Sequence, residues 1–125
     1  MSMRTPDTSG APRQVLLLHA ESARHIGTVA AHIQALATGS RHRVVDLDCA
    51  AAARQPLDLQ AFDVIVFHYS IVIALPAYLP PAFFARLAAF GGPKLLFIQD
   101  EYRWVDRTAE AIRDLGISVV FTLLD

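Results

Sequence analysis

Cysteine is nearly missing from this chain. Cys49 is the only one, so neither a disulfide framework nor a cysteine-based zinc site can form within one chain, and a reducing compartment fits. Lysine is as scarce: of the 11 Lys and Arg residues, Lys94 is the one lysine. The formal net charge is −1 and no basic block occurs, which argues against nucleic-acid binding, where a clustered Lys/Arg face is the usual footprint. The longest apolar stretch, Val64 to Leu79, is interrupted by His68, Tyr69, Ser70 and Pro76. It is shorter than the roughly 20 residues a membrane helix requires, so no transmembrane segment is expected. Met1 to Pro12 are polar and rich in Ser, Thr, Pro and Gly, without the apolar core of a signal peptide. They read as a disordered leader (1–12), and the protein is expected to be cytoplasmic. No G-x-G-x-x-G, P-loop or G-x-S-x-G pattern is present, so neither a glycine-rich phosphate cradle nor a hydrolase elbow is signalled.

What is present is apolar. The chain is 54% hydrophobic and 18% charged over 125 residues, enough for one domain with a substantial core. Gln14 to His19 is a continuous apolar run suited to a strand buried on both faces. Ile26, Val29, Ile33 and Leu36 then recur at helical spacing over 22–37, with Ser22 to cap the start and Gly39 to end it. Arg43 to Leu47 is a second strand, 48–61 a short crossover with one helical turn, and Phe62 to Phe67 a third strand. Pro80-Pro81 opens a helix with Phe83, Phe84, Leu87 and Phe90 as its stripe; Gly91-Gly92-Pro93 stops it. Lys94 to Ile98 is the fourth strand. A helix over 103–115 turns Val105, Ala109 and Ile112 inward and stops at Gly116, and Ile117 to Thr122 is the fifth strand.

Strands alternating with helices predict an α/β, Rossmann-like, doubly wound parallel five-stranded sheet over 13–125, in the order 3-2-1-4-5. The fifth strand has no helix to cover it, so a further domain or a partner chain is expected there.

In open α/β sheets ligands bind outside the carboxyl ends of the strands. Two such ends carry chemistry. The fourth strand runs into Gln99-Asp100-Glu101-Tyr102-Arg103-Trp104, and the third into His68-Tyr69-Ser70. Asp100 reads as a general base or a sugar-binding carboxylate, and equally as an acidic residue opening a helix. Glu101 belongs to the same reading. Tyr102 and Trp104 are stacking rings or core-edge residues; Arg103 grips a phosphate or forms a surface ion pair. His68 is a base, a hydrogen-bonding partner or a structural histidine, with Tyr69 and Ser70 beside it. His19 ends the first strand, where nucleotide-binding folds carry their phosphate loop. His25 and His32 lie seven apart on one helix face, without an acidic or cysteine partner at ligand spacing, so no metal site is expected.

Phe62-Asp-Val-Ile-Val-Phe-His68-Tyr69-Ser70, followed by Phe97-Ile-Gln-Asp-Glu-Tyr-Arg-Trp104, resembles the N-terminal half of bacterial GT-B-type glycosyltransferases, the family 1-like enzymes of surface polysaccharide biosynthesis. The resemblance spans about Val15 to Asp125. It implies two Rossmann-like domains facing a cleft, the N-terminal one receiving an acceptor sugar or lipid-linked acceptor and the C-terminal one holding a nucleotide-sugar donor. This chain corresponds to the acceptor side. His68, Asp100 and Glu101 would line the cleft, with Asp100 or His68 taking the acceptor's proton if the reaction inverts. No cofactor is expected on this chain, and alone it is expected to be inactive. Two other classes compete. A response-regulator receiver matches in length, but its acidic pair, phosphoacceptor and lysine positions hold His19-Ala20-Glu21, His68 and Leu123-Leu124-Asp125. A stand-alone, non-catalytic binding or interaction domain would use the bare fifth edge.

Overall fold

The computed structural model describes residues 11–21, 27–39, 41–99 and 105–123. Its apolar runs form five parallel strands: β1 (Gln14–His19), β2 (Arg43–Asp48), β3 (Val64–Phe67), β4 (Lys94–Gln99) and β5 (Val119–Leu123). Between them run α1 (Gly27–Gly39), α2 (Cys49–Ala53), a 3-10 turn at Leu59–Ala61, α3 (Pro81–Ala89) and α4 (Val105–Leu115). This is the expected α/β, Rossmann-like fold. Most of the expected leader (1–12) lies outside the described residues. No described helix is long and apolar enough to cross a membrane.

The strand order is β2-β1-β3-β4-β5, not the expected 3-2-1-4-5. β3 pairs directly with β1, Leu16 opposite Ile65 and Leu18 opposite Phe67. Composition explains the choice. β3 is uncharged and buried over Ile65, Val66 and Phe67, so it gains most from an interior position covered on both faces. β2 carries Arg43, Asp46 and Asp48 and has no fully buried residue, which suits an edge where one side meets water.

The two faces of the sheet are covered differently. On one face Leu16, Leu18, Ile65, Phe67 and Leu96 pack against α2, α3, α4 and the 71–79 segment through Ala52, Ile73, Leu79, Phe83, Leu87 and Leu115. On the other, among the described residues, α1 packs Val29 and Ile33 on Leu17 and Val66, with Leu36, Leu95 and Phe97 around them. The expected stripe of α4 shifts: Ala109 is exposed, while Ala111 and Leu115 are buried and Ile112 partly so. Residues 111, 112 and 115 fall on one side of a 3.6-residue turn.

Local chemistry sets the boundaries. Asp48 caps α2 by accepting from the Ala51 backbone N–H, and Pro81 begins α3, where a missing N–H costs nothing. Gly116 follows α4 at φ 73°, a left-handed stop that favours glycine. At Gly92 a side chain would meet the Asp63 carbonyl at 2.5 Å, so only glycine lets the chain pass there. Lys94 opens β4 yet is 4% exposed. Its ammonium donates to the carbonyl oxygens of Ala88 (3.1 Å) and Leu115 (2.6 Å), a cation held where the negative ends of α3 and α4 converge. Burial pushes its pKa down.

Candidate functional site

The carboxyl ends of β1 and β3 lie side by side and are tied together by side chains. His68 follows β3 with its backbone N–H still on the ladder, donating to Leu18 O at 2.9 Å. Two residues on, Ser70 accepts through its hydroxyl from the Ala20 N–H at 2.9 Å. The same hydroxyl lies 2.8 Å from His68 Nδ1, and the Ser70 N–H donates to that nitrogen at 3.0 Å. The far side of the ring, Nε2, meets Nδ1 of His32 on α1 at 2.8 Å.

The row Ser70–His68–His32 has the connectivity of a nucleophile, a base and an orienting group. Its chemistry differs. His68 is fully buried, and the Ser70 hydroxyl is held by Ala20 and His68. Burial, reinforced by the nearby imidazoles of His32 and His19, pushes the His68 pKa down to about 4. Burial also lowers that of His32. His68 therefore stays neutral and closed, and this is a correction to its expected place among the groups facing substrate. A tight turn after a buried strand points its ring into the sheet–helix seam instead of out of the rim.

His19 is buried as well, and its Nε2 pairs with Asp46 at 3.0 Å. Its Nδ1 lies 3.6 Å from Glu21 and makes no hydrogen bond among the described residues. Asp48, at the end of β2, accepts from the Glu21 and Ala51 backbone N–H groups at 2.8 and 3.0 Å. Burial alone would raise its pKa, but those two bonds, helped by His19 and Arg54, hold it below the ordinary carboxylate value. Tyr69 is half-buried and turns to the α1 side, its ring 5.2 Å from that of His32 and 4.2 Å from that of His68. Phe97 meets His32 edge-on and stacks on Phe121 at 4.9 Å. A row of rings thus runs from the β3 corner across to β5.

Asp100, Glu101, Tyr102, Arg103 and Trp104 lie outside the described residues, as do Ser22 and His25. The structure thus brings His19, His68, Tyr69 and Ser70 together at the β1–β3 corner and describes β4 as far as Gln99. Helical spacing pairs His32 with His25, but the partner of His32 in the fold is His68, 36 positions away, a distance that helical spacing cannot bridge. Asp46 carries a signal of its own: an acidic residue inside Val44-Val45-Asp46-Leu47 is a strand carboxylate that needs a partner. Cys49 is no candidate: its thiol donates to Tyr78 O at 3.0 Å, and burial, with Asp48 beside it, pushes its pKa up to about 12. Among the described residues no group of three or more His, Cys, Asp or Glu is arranged to hold a metal ion.

No protein-family model matches the sequence, and neither does any curated protein. Solved structures do match. A pilus assembly-related protein from Burkholderia pseudomallei aligns with a TM-score of 0.55 at 17% identity, over 88% of this chain and 77% of that one. The general stress protein 14 of Treponema denticola, solved in complex with FMN, aligns with a TM-score of 0.50 at 15% identity, over 90% of this chain and 86% of that one. At these identities the likeness is one of architecture, and what it establishes is the α/β, Rossmann-like parallel sheet.

Proposed function

We propose that the chain is the acceptor-side domain of a GT-B-type glycosyltransferase, with the carboxyl edge of its sheet turned toward an acceptor sugar or lipid-linked acceptor. One observation carries the reading. β3 and β4 pair in parallel, Val66 opposite Leu95 and Phe67 opposite Leu96. His68, which follows β3, and Gln99, which ends β4, therefore stand on neighbouring strands at the same edge, where open α/β sheets bind ligands, and each begins one of the two segments that resemble the family.

The closed state of His68 sharpens the assignment. His68 is a wall of the corner, and Asp100 is the base. In an inverting transfer its carboxylate takes the acceptor hydroxyl's proton as the acceptor oxygen bonds to the sugar's anomeric carbon and the bond from that carbon to the nucleotide phosphate breaks. Glu101, Tyr102 and Arg103 hold the acceptor. The donor belongs to a second domain or chain, and a cytoplasmic location and a place in polysaccharide biosynthesis go with this reading. The test is transfer of labelled sugar by the natural gene product, with NMR titration of this chain by candidate acceptors. Asp100→Asn is expected to lower kcat about 100-fold or more. Undiminished turnover removes Asp100 from the mechanism. Absence of both transfer and acceptor-induced shifts overturns the reading.

The strand order favours a second reading. Order 2-1-3-4-5 is that of flavodoxin-like sheets, whose flavin sits at the β1/β3 switch point, and one structural neighbour was solved with FMN. Saturable quenching of FMN fluorescence by this chain would put a flavin in place of the acceptor sugar.

A further inference from the structure

One backbone amide determines where every proton of the His68 corner sits. The Ser70 N–H can only donate, and it points at His68 Nδ1 from 3.0 Å. That nitrogen therefore carries no hydrogen. The Ser70 hydroxyl, which already accepts from Ala20, turns its own hydrogen to the same nitrogen. The proton of His68 is left on Nε2, donated to His32 Nδ1 at 2.8 Å. His32 in turn keeps its proton on Nε2. This row joins three elements: α1 through His32, the end of β1 through Ala20, and the end of β3 through His68 and Ser70.

We propose that the Ala20–Ser70–His68–His32 row is a proton-sensitive latch, which holds α1 on the sheet and keeps the β1–β3 corner closed while both imidazoles are neutral, and lets go when the pair takes up a proton. A proton added at His32 Nδ1 sets two N–H groups facing each other across 2.8 Å. Moving the His68 proton from Nε2 to Nδ1 relieves that contact only by opposing it to the Ser70 N–H. Either way one bond of the row is lost. Among the described residues, the groups around the pair offer the extra charge no carboxylate partner of its own. From β1 comes His19, whose Nε2 is paired with Asp46 of β2 and whose Nδ1 faces Glu21. From β3 and β4 come the uncharged rings of Tyr69 and Phe97.

The sign follows from the direction of the shifts. Both folded-state pKa values lie below the ordinary 6.5, that of His68 at about 4. The unfolded chain therefore binds more protons across the interval, and the latch stabilises fully above pH 6.5 and weakens toward pH 4. The latch does not depend on which ligand the corner takes, so it stands or falls apart from the transferase reading.

Long-range proton–nitrogen NMR spectra of the imidazoles, recorded with amide exchange on the intact chain from pH 7.5 to 4, test it. The expected spectrum shows His32 and His68 neutral and protonated at Nε2 at pH 7.5. Protection of the Ala20 and Ser70 amides is expected to fall roughly tenfold or more as the pair titrates below pH 6, with the amide of Leu96 unchanged. In His32→Asn the side-chain oxygen accepts from His68 Nε2 and cannot titrate, so the midpoint of that loss is expected at lower pH. An Nδ1–H form of His68, or titration of both rings near 6.5 with Ala20 and Ser70 still protected, overturns the latch. These wild-type spectra decide whether or not the variant folds.

Discussion

The two faces of the sheet are held by different means. One is closed by α2, α3, α4 and the 71–79 segment, and buries aromatic and aliphatic side chains from all of them. The other, among the described residues, has one helix, α1, with two buried residues on two of the sheet, and a polar row beside them. At β5 both faces thin out: Val119 and Phe121 on this second face are 44% and 43% exposed, and Val120, beside Leu96 on the first, is 40% exposed. The contrast teaches where stability and where responsiveness reside. Apolar burial is indifferent to pH and hard to undo locally. A single helix tied by two neutral imidazoles is cheap to release and sensitive to protons.

The comparison breaks most visibly at Phe83, 2% exposed in the closed face. Phe83→Ala is expected to cost about 3–5 kcal/mol, read as a fall in the urea midpoint at unchanged slope. The equivalent cut on the other face, Ile33→Ala, removes a fully buried side chain of α1. Its cost is expected at the lower end, about 2–3 kcal/mol, because α1 has open surface on which to resettle. Native-state hydrogen exchange should show α1 opening before α3. Lys94→Met keeps the volume but leaves the Ala88 and Leu115 carbonyls without their donor, an expected loss of roughly 1–3 kcal/mol that removes salt-insensitive stability from the closed face alone. The smallest change is at the bare end. Phe121→Ser gives up a ring stack with Phe97 at an exposed position, and its thermal shift should correspond to about 1 kcal/mol or less. A larger loss there would mean that the second face is more complete than its exposure indicates.

Much of the fold was legible because its signals are local. The stripes Val29-Ile33-Leu36 and Phe83-Leu87-Phe90 fall at helical spacing and pack inward as read. The alternation of strands and helices identifies the class. Strand order is different, because it depends on which of two remote partners β3 joins. The deciding cue, charges at Arg43, Asp46 and Asp48 against an uncharged Val64-Ile65-Val66-Phe67, lies in comparing two strands. At the site, His19, His68, Tyr69 and Ser70 were visible as strand-end residues. Their roles were not, since burial, the Asp46 partner and the bond to His32 exist only once β2, β1, β3 and α1 have assembled. His68 shows the difference: its position at a strand end suggests access, and its ring has none.

The seat of Lys94 has a consequence for handling the protein. The chain's one lysine donates its ammonium to the Ala88 and Leu115 carbonyls inside the fold, so the folded chain withholds its side-chain amine from acylating reagents, aldehydes and lysine-directed cross-linkers. Conversely, a mass increment that appears at Lys94 reports that β4 has come away from the ends of α3 and α4. The residue is a built-in reporter of that opening, read by mass after a pulse of reagent.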